Sequence, residues 1–179
     1  LEIISAERIR DEITKLLMSA NPRTGITILV ETGLADIALP EIPKLRLEVD
    51  EHHHHKDVYE HSITVLEQAI AQEDRLGGPN LVIRLAALLH DIGKPKTRNL
   101  LEGGGVSFHH HEVVGARMTQ KIMERLKFPK KVTDLVVSLV RQHMFFSDTE
   151  QITLSAVRRI IARVGPEHIW ELKIGRAHV

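Results

Sequence analysis

Apolar residues recur at Ile9, Ile13, Leu16 and Leu17, with Arg8, Arg10, Asp11, Glu12 and Lys15 between them. That spacing lays one apolar stripe along a helix of 3.6 residues per turn. Ser5 is placed to cap this helix, and Asn21-Pro22 to break it. A second, short helix is expected over 23–32, with Ile26, Leu29 and Val30 inward and Gly33 at its end. Residues 34–47 read as a connector punctuated by Pro40 and Pro43, with one short helical turn. The pattern then lapses into a polar, histidine-rich loop over 48–57. Asp57 caps a predicted helix over 58–74 whose apolar face holds Val58, Val65, Leu66, Ala69 and Ile70. Gly77-Gly78-Pro79-Asn80 is a turn, and Asn80 caps a helix over 81–92 that is apolar nearly all round and therefore buried. Gly103-Gly104-Gly105 sits between two short apolar runs, which predicts a small β-hairpin within 96–108. Further helices are expected over 110–126, 130–145, 153–164 and from 167 onward. The fold class is all-α: a helical subdomain over 1–47, then a helical bundle over 48–173 with one minor hairpin.

Composition narrows the function classes. Aromatics are 3% of 179 residues, so the core is aliphatic. The absence of cysteine excludes disulfides, thiolate metal sites and cysteine nucleophiles, and fits a reducing, cytoplasmic setting. No apolar run reaches membrane-spanning length, and residues 1–20 do not have the make-up of a signal peptide. Acidic and basic residues balance at 24 each, so nucleic-acid binding would have to come from a local patch. Residues 174–179 match a translated sequencing adapter and are read as a non-native tail, with both ends of the chain read as truncations.

Twelve histidines change the picture most. His61 shares a helix face with Val58 and Val65. His90 follows Leu85, Ala86 and Leu89, and His143 continues the row of Val132, Val136, Leu139 and Val140. A single such histidine is ordinarily a hydrogen-bonded core residue. Three buried imidazoles on three aliphatic helices all need partners, and a shared metal supplies them at once. Asp91, beside His90 in the run Leu88–Pro95, adds a carboxylate that burial makes unfavourable without a cation or several donors. Gly93 and Pro95 read as the stop of this helix. Of His109, His110 and His111, only one or two can face one site. Lys94 is placed to contact a phosphate or to pair with Asp91. Imidazole and carboxylate without thiolate favour Mn, Fe, Co, Ni or Zn.

His61 with His90-Asp91 resembles the core of the HD superfamily of metal-dependent phosphohydrolases. The surrounding segments Ile4–Arg8, His55–His61, Leu88–Pro95 with Thr97, Phe108–Ala116 and Ser155–Arg159 resemble the C-terminal half of bacterial CCA-adding tRNA nucleotidyltransferases, nearest to the actinobacterial type with an attached HD domain. The resemblance covers 1–173. It implies His61, His90 and Asp91 as core metal ligands. It implies His111, four residues before Gly115, and His143 as the extra histidines that can hold a second metal, and Lys94 as the lysine that follows the pair. His90, Asp91 and Lys94 would carry phosphoryl chemistry on a phosphate ester or nucleotide. Residues 1–47 resemble the neck that contacts tRNA, which brings Arg8 into an RNA-binding set with Lys127, Lys130 and Lys131. Lys121 and Arg125 extend that basic cluster, whose plainer alternative is a solvated helix end. The family's catalytic head, which uses Mg, CTP and ATP, lies outside these residues. So does its late HD aspartate, for which Asp134 and Asp148 are poorly matched substitutes. The competing readings are a stand-alone nucleotide phosphohydrolase and a non-catalytic helical RNA-binding module.

Overall fold

The first helix, α1 (Ala6–Leu17), begins where Ser5 Oγ accepts the N–H of Arg8 at 3.3 Å. α2 (Pro22–Glu31) carries proline at its first position, where a missing N–H is harmless, and ends before Gly33, whose φ of 74° closes it. A single turn, α3 (Ala35–Ala38), and a 3₁₀ turn over Pro43–Leu45 occupy the proline-marked connector. α4 (Val58–Ala71) starts with Asp57 accepting from the N–H of Tyr59, and a 3₁₀ turn over Glu73–Leu76 follows. α5 (Leu81–Leu89) precedes a second single turn, α6 (Lys94–Thr97). Strands β1 (Asn99–Leu100) and β2 (Val106–Ser107) pair antiparallel, Asn99 facing Ser107. α7 (His111–Arg125) and α8 (Lys130–Gln142) complete the sequence of elements, with a 3₁₀ turn over His143–Phe146. The computed structural model describes residues 4–47 and 57–146. The histidine-rich loop, the helices expected over 153–164 and from 167, the Ser155–Arg159 segment, Asp148 and the tail lie outside them.

The all-α expectation holds, with the minor hairpin where the glycine run placed it. α5 is the central element, packed between α4 and α8 and touched by α1; α7 packs along α8. Residues of α1–α3, of the Pro43–Leu45 turn and of α4, α5, α7 and α8 form one continuous apolar cluster in which Leu17, Leu45, Leu66, Met123 and Val140 are fully buried. The buried row of α7 is His111, Gly115, Ala116, Thr119, Ile122 and Met123, with small residues directly after His111. Val113, Val114 and Met118 on the same helix are only half-buried. No helix among the described residues is long and apolar enough to cross a membrane.

Around the His90-Asp91 turn, two boundaries differ from the sequence expectation. The helix expected over 81–92 ends at Leu89, and His90 to Gly93 form a turn. Ile92 remains fully buried after the helix has ended, which is why the apolar run overstated its length. Pro95 does not stop a helix. It stands in the first turn of α6, where its fixed φ is compatible with helix.

Asn80 secures the start of α5: its Oδ1 accepts from Val82 at 2.9 Å and Ile83 at 3.3 Å. Asn80→Ala is expected to lower unfolding stability by about 1 kcal/mol in urea denaturation, whereas Asn80→Asp retains most of it. Equal losses in the two variants would contradict the capping account.

Candidate metal centre

The turn after α5 aims two adjacent side chains into the middle of the bundle. His90 is 4% exposed and Asp91 2%. His61 reaches them from α4, His111 from the first position of α7, and His143 from the end of α8. The two oxygens of Asp91 face different sets. Oδ2 lies 3.1 Å from His90 Nε2, 3.5 Å from His61 Nε2 and 2.7 Å from Lys94 Nζ. Oδ1 lies 3.2 Å from His111 Nε2 and 3.7 Å from His143 Nε2. Within each set the imidazoles also meet: His61 and His90 Nε2 are 3.1 Å apart, His111 and His143 Nε2 3.2 Å.

Hydrogen bonding on the far side of the rings determines what those nitrogens can do. Nδ1 of His90, His111 and His143 each lies 2.6–2.8 Å from the carbonyl oxygen three residues earlier, on Ala87, Phe108 and Val140. A carbonyl only accepts, so each Nδ1 carries the proton and a neutral ring points an Nε2 lone pair inward. His111 and His143 therefore cannot hydrogen-bond to each other. His90 and His111 likewise turn lone pairs towards an acceptor-only carboxylate. Burial pushes the His143 pKa down to about 3, against the Val140 carbonyl and Asp91, so this ring holds no second proton near neutrality. Burial alone would raise the Asp91 carboxyl, but the Lys94 ammonium, 2.7 Å from Oδ2, holds it below the usual carboxylate range. The result is a buried convergence of lone pairs that calls for positive charge between them.

Divalent cations fit that need. Bonds of about 2.1 Å from nitrogen or oxygen to a transition metal place neighbouring donor atoms about 3.0–3.4 Å apart, close to the 3.1–3.2 Å spacings here. Two donor triads form, His61–His90–Asp91 and Asp91–His111–His143. The Nδ1–carbonyl bonds fix ring orientation and tautomer, the usual supporting arrangement around metal-binding histidines.

Of the residues singled out in the sequence, His61, His90, Asp91, Lys94, His111 and His143 are brought together. His109 and His110 are exposed, and His110 adopts φ 61° as the chain turns into α7. Asp134 is not near the centre. It lies nine residues before His143 on α8, about 13 Å along the axis, and pairs with Lys130. Arg8, Lys130 and Lys131 are exposed, while Lys127 pairs with Glu7 and Arg125 with Glu41. The division of Asp91 between two triads escaped the sequence reading, since residue types alone do not say where each oxygen points.

Comparison with known proteins decides the family. The HD domain model matches residues 58–164. The chain belongs to the HD domain family. Its HD domain contains every residue of both triads. Residues 1–45 match a second model, described as a probable RNA and SrmB-binding site of polymerase A. Relatives include an A-adding tRNA nucleotidyltransferase of Deinococcus radiodurans, 40% identical over 77% of this chain and 31% of that protein. A CC-adding tRNA nucleotidyltransferase of Thermus thermophilus is 35% identical over 88% of the chain and 35% of that protein. A multifunctional CCA protein of Azoarcus is 32% identical over 88% of the chain and 37% of that protein. The chain thus spans about a third of the length of the curated relatives it matches.

Proposed function

We propose that the HD domain is a metal-dependent phosphohydrolase serving an enzyme of the tRNA nucleotidyltransferase class, with residues 1–47 as an RNA-contacting neck and 48–173 as the HD unit. The observation that carries the reading is the convergence of four imidazole nitrogens on the two oxygens of one buried carboxylate. His61, His90 and Asp91 would hold one divalent cation, and Asp91, His111 and His143 a second; Mn, Ni, Co, Fe and Zn suit this donor set. Such cations acidify water and polarise a phosphoryl group. Asp91 supplies the shared negative charge. Lys94 keeps Asp91 oriented and, with its side chain 23% exposed, is available to the charge of a phosphate ester or nucleotide.

The relatives and the neck match support tRNA as the larger partner, in a cytoplasmic enzyme that completes tRNA 3′ ends from CTP and ATP in an Mg-dependent head. Arg8, Lys127, Lys130 and Lys131 are the proposed phosphate contacts. The Glu7–Lys127 pair brings the start of α1 beside the α7–α8 connection where these lysines stand. Nucleic-acid phosphate would replace Glu7 and Asp134 as the partners of Lys127 and Lys130.

The test is hydrolysis of p-nitrophenyl phosphate and of a 2′,3′-cyclic nucleotide by purified protein loaded with Mn, Ni, Co or Zn. Turnover is expected to vanish with a chelator and to fall at least about 100-fold in His90→Ala. Full cation occupancy without any hydrolysis that His90→Ala removes would rule the phosphohydrolase out.

A further inference from the structure

The turn that carries His90 and Asp91 touches α7 backbone to backbone. A Cβ placed on Gly93 would collide with the carbonyl oxygen of His111 and lie 2.6 Å from the amide nitrogen of Gly115 and 3.1 Å from its Cα. Gly93 has φ −81° and ψ −19°, a conformation open to any residue, so glycine is required here by proximity and not by backbone strain. Gly115 forms the opposite wall. A Cβ there would meet Gly93 N at 3.4 Å, His90 O at 3.6 Å and Val140 Cγ1 at 3.6 Å, ordinary contact that admits alanine and little more. The contact lies between the two halves of the centre: Gly93 is two residues past Asp91, and Gly115 four past His111.

We infer that Gly93 is a positioning residue that sets the distance between the two donor triads, so that one carboxylate, Asp91, can serve both. The inference rests on the cation-binding reading of the centre. The atoms Gly93 meets are backbone atoms of α7, which no rotamer change can withdraw. Relieving the collision of a Cβ requires α7 and the turn to separate by on the order of 1 Å to reach ordinary contact. That movement takes His111 away from Asp91 Oδ1. His61 and His90 belong to α4 and to the turn itself, so the first triad is left whole. Gly93→Ala is therefore selective between the two triads, which a general loss of stability is not.

Cobalt titration followed by calorimetry and by visible absorption tests this in the full chain. Wild-type protein takes up two equivalents. Gly93→Ala retains the first and binds the second about 10–100-fold more weakly, with the corresponding part of the Co(II) spectrum lost. Gly115→Ala keeps both equivalents, whereas Gly115→Leu, pressing on the same contact from α7, loses the second and decides the matter should Gly93→Ala not fold. Gly25→Ala is the control: its Cβ would lie 2.8 Å from Leu16 Cγ, away from the centre, so it perturbs packing without changing the cation count. Two native-affinity equivalents in Gly93→Ala, or in Gly115→Leu where only that variant folds, overturn the positioning role and leave the metal reading intact. Fewer than two equivalents in wild type also overturn it, and none in wild type removes the metal reading as well.

Discussion

Asp91→Asn should abolish uptake at both triads, whereas His61→Ala should affect only one. The substitution keeps the shape of the side chain and exchanges one carboxylate oxygen for an amide NH₂, which donates and does not ligate. Whichever oxygen remains, the formal charge shared by both triads is gone. An NH₂ aimed at either pair of imidazoles hydrogen-bonds to a lone pair that a cation would otherwise use. Cation affinity is expected to fall at least about 100-fold at both positions, read by calorimetric titration with Mn or Co, and hydrolysis with it. The fold should survive. Lys94 loses its partner but is partly exposed and can turn to solvent, and the new NH₂ relieves part of the lone-pair convergence. Thermal unfolding of the metal-free proteins should therefore differ by only a few degrees. Retained affinity at either triad would show that Asp91 does not bridge them.

Helix periodicity made most of the fold legible, because an aliphatic core on regular helices leaves its spacing in the chain. α1, α4 and α8 lie within a few residues of where Ile9–Leu17, Val58–Ile70 and Val132–Val140 put them, and α7 within a residue of the expected 110–126. The centre was legible for a related reason: histidines on apolar faces are conspicuous. The choice of His111 over His109 and His110 depended on its distance from Gly115, and the structure supplies the physical basis, since Gly115 seats α7 against Gly93. Tertiary pairing was less accessible. Arg125 and Lys127 read as a basic cluster, yet their partners Glu41 and Glu7 lie 84 and 120 residues away in sequence. Gly93 read as a helix stop because its role depends on a backbone that arrives from elsewhere. Arg84 was hidden in the most apolar helix of the chain, where a lone cation among leucines carries no periodic signal.

Arg84→Ala is expected to destabilise the fold by about 3–5 kcal/mol at neutral pH. The guanidinium is 4% exposed and spends all its geometry on the interior. Nε and Nη2 bind the two oxygens of Glu73 at 2.7 and 2.6 Å, and Nη1 binds the carbonyls of Leu17 and Ser19 at 2.6 and 2.9 Å. One side chain thus ties the 3₁₀ turn after α4 to α5 and caps the negative end of α1. Alanine leaves Glu73, itself 4% exposed, with the N–H of Asn80 at 3.0 Å but without its cation, and strands two carbonyls. Acid separates this account from simple loss of packing. Burial would raise the Glu73 carboxyl, but Arg84 and the Asn80 N–H outweigh it and hold the pKa below its ordinary 4.5. A depressed carboxylate contributes stability above its unfolded value, and that contribution is lost as pH falls through the folded one. In Arg84→Ala the same buried carboxyl, without its cation, takes up a proton more readily than in wild type and regains stability as it does. The stability gap between wild type and variant, measured by urea denaturation, should therefore narrow between pH 7 and pH 4. A gap that stays constant over that range would mean that Arg84 acts through its bulk and its carbonyl contacts, and not through the charge of Glu73.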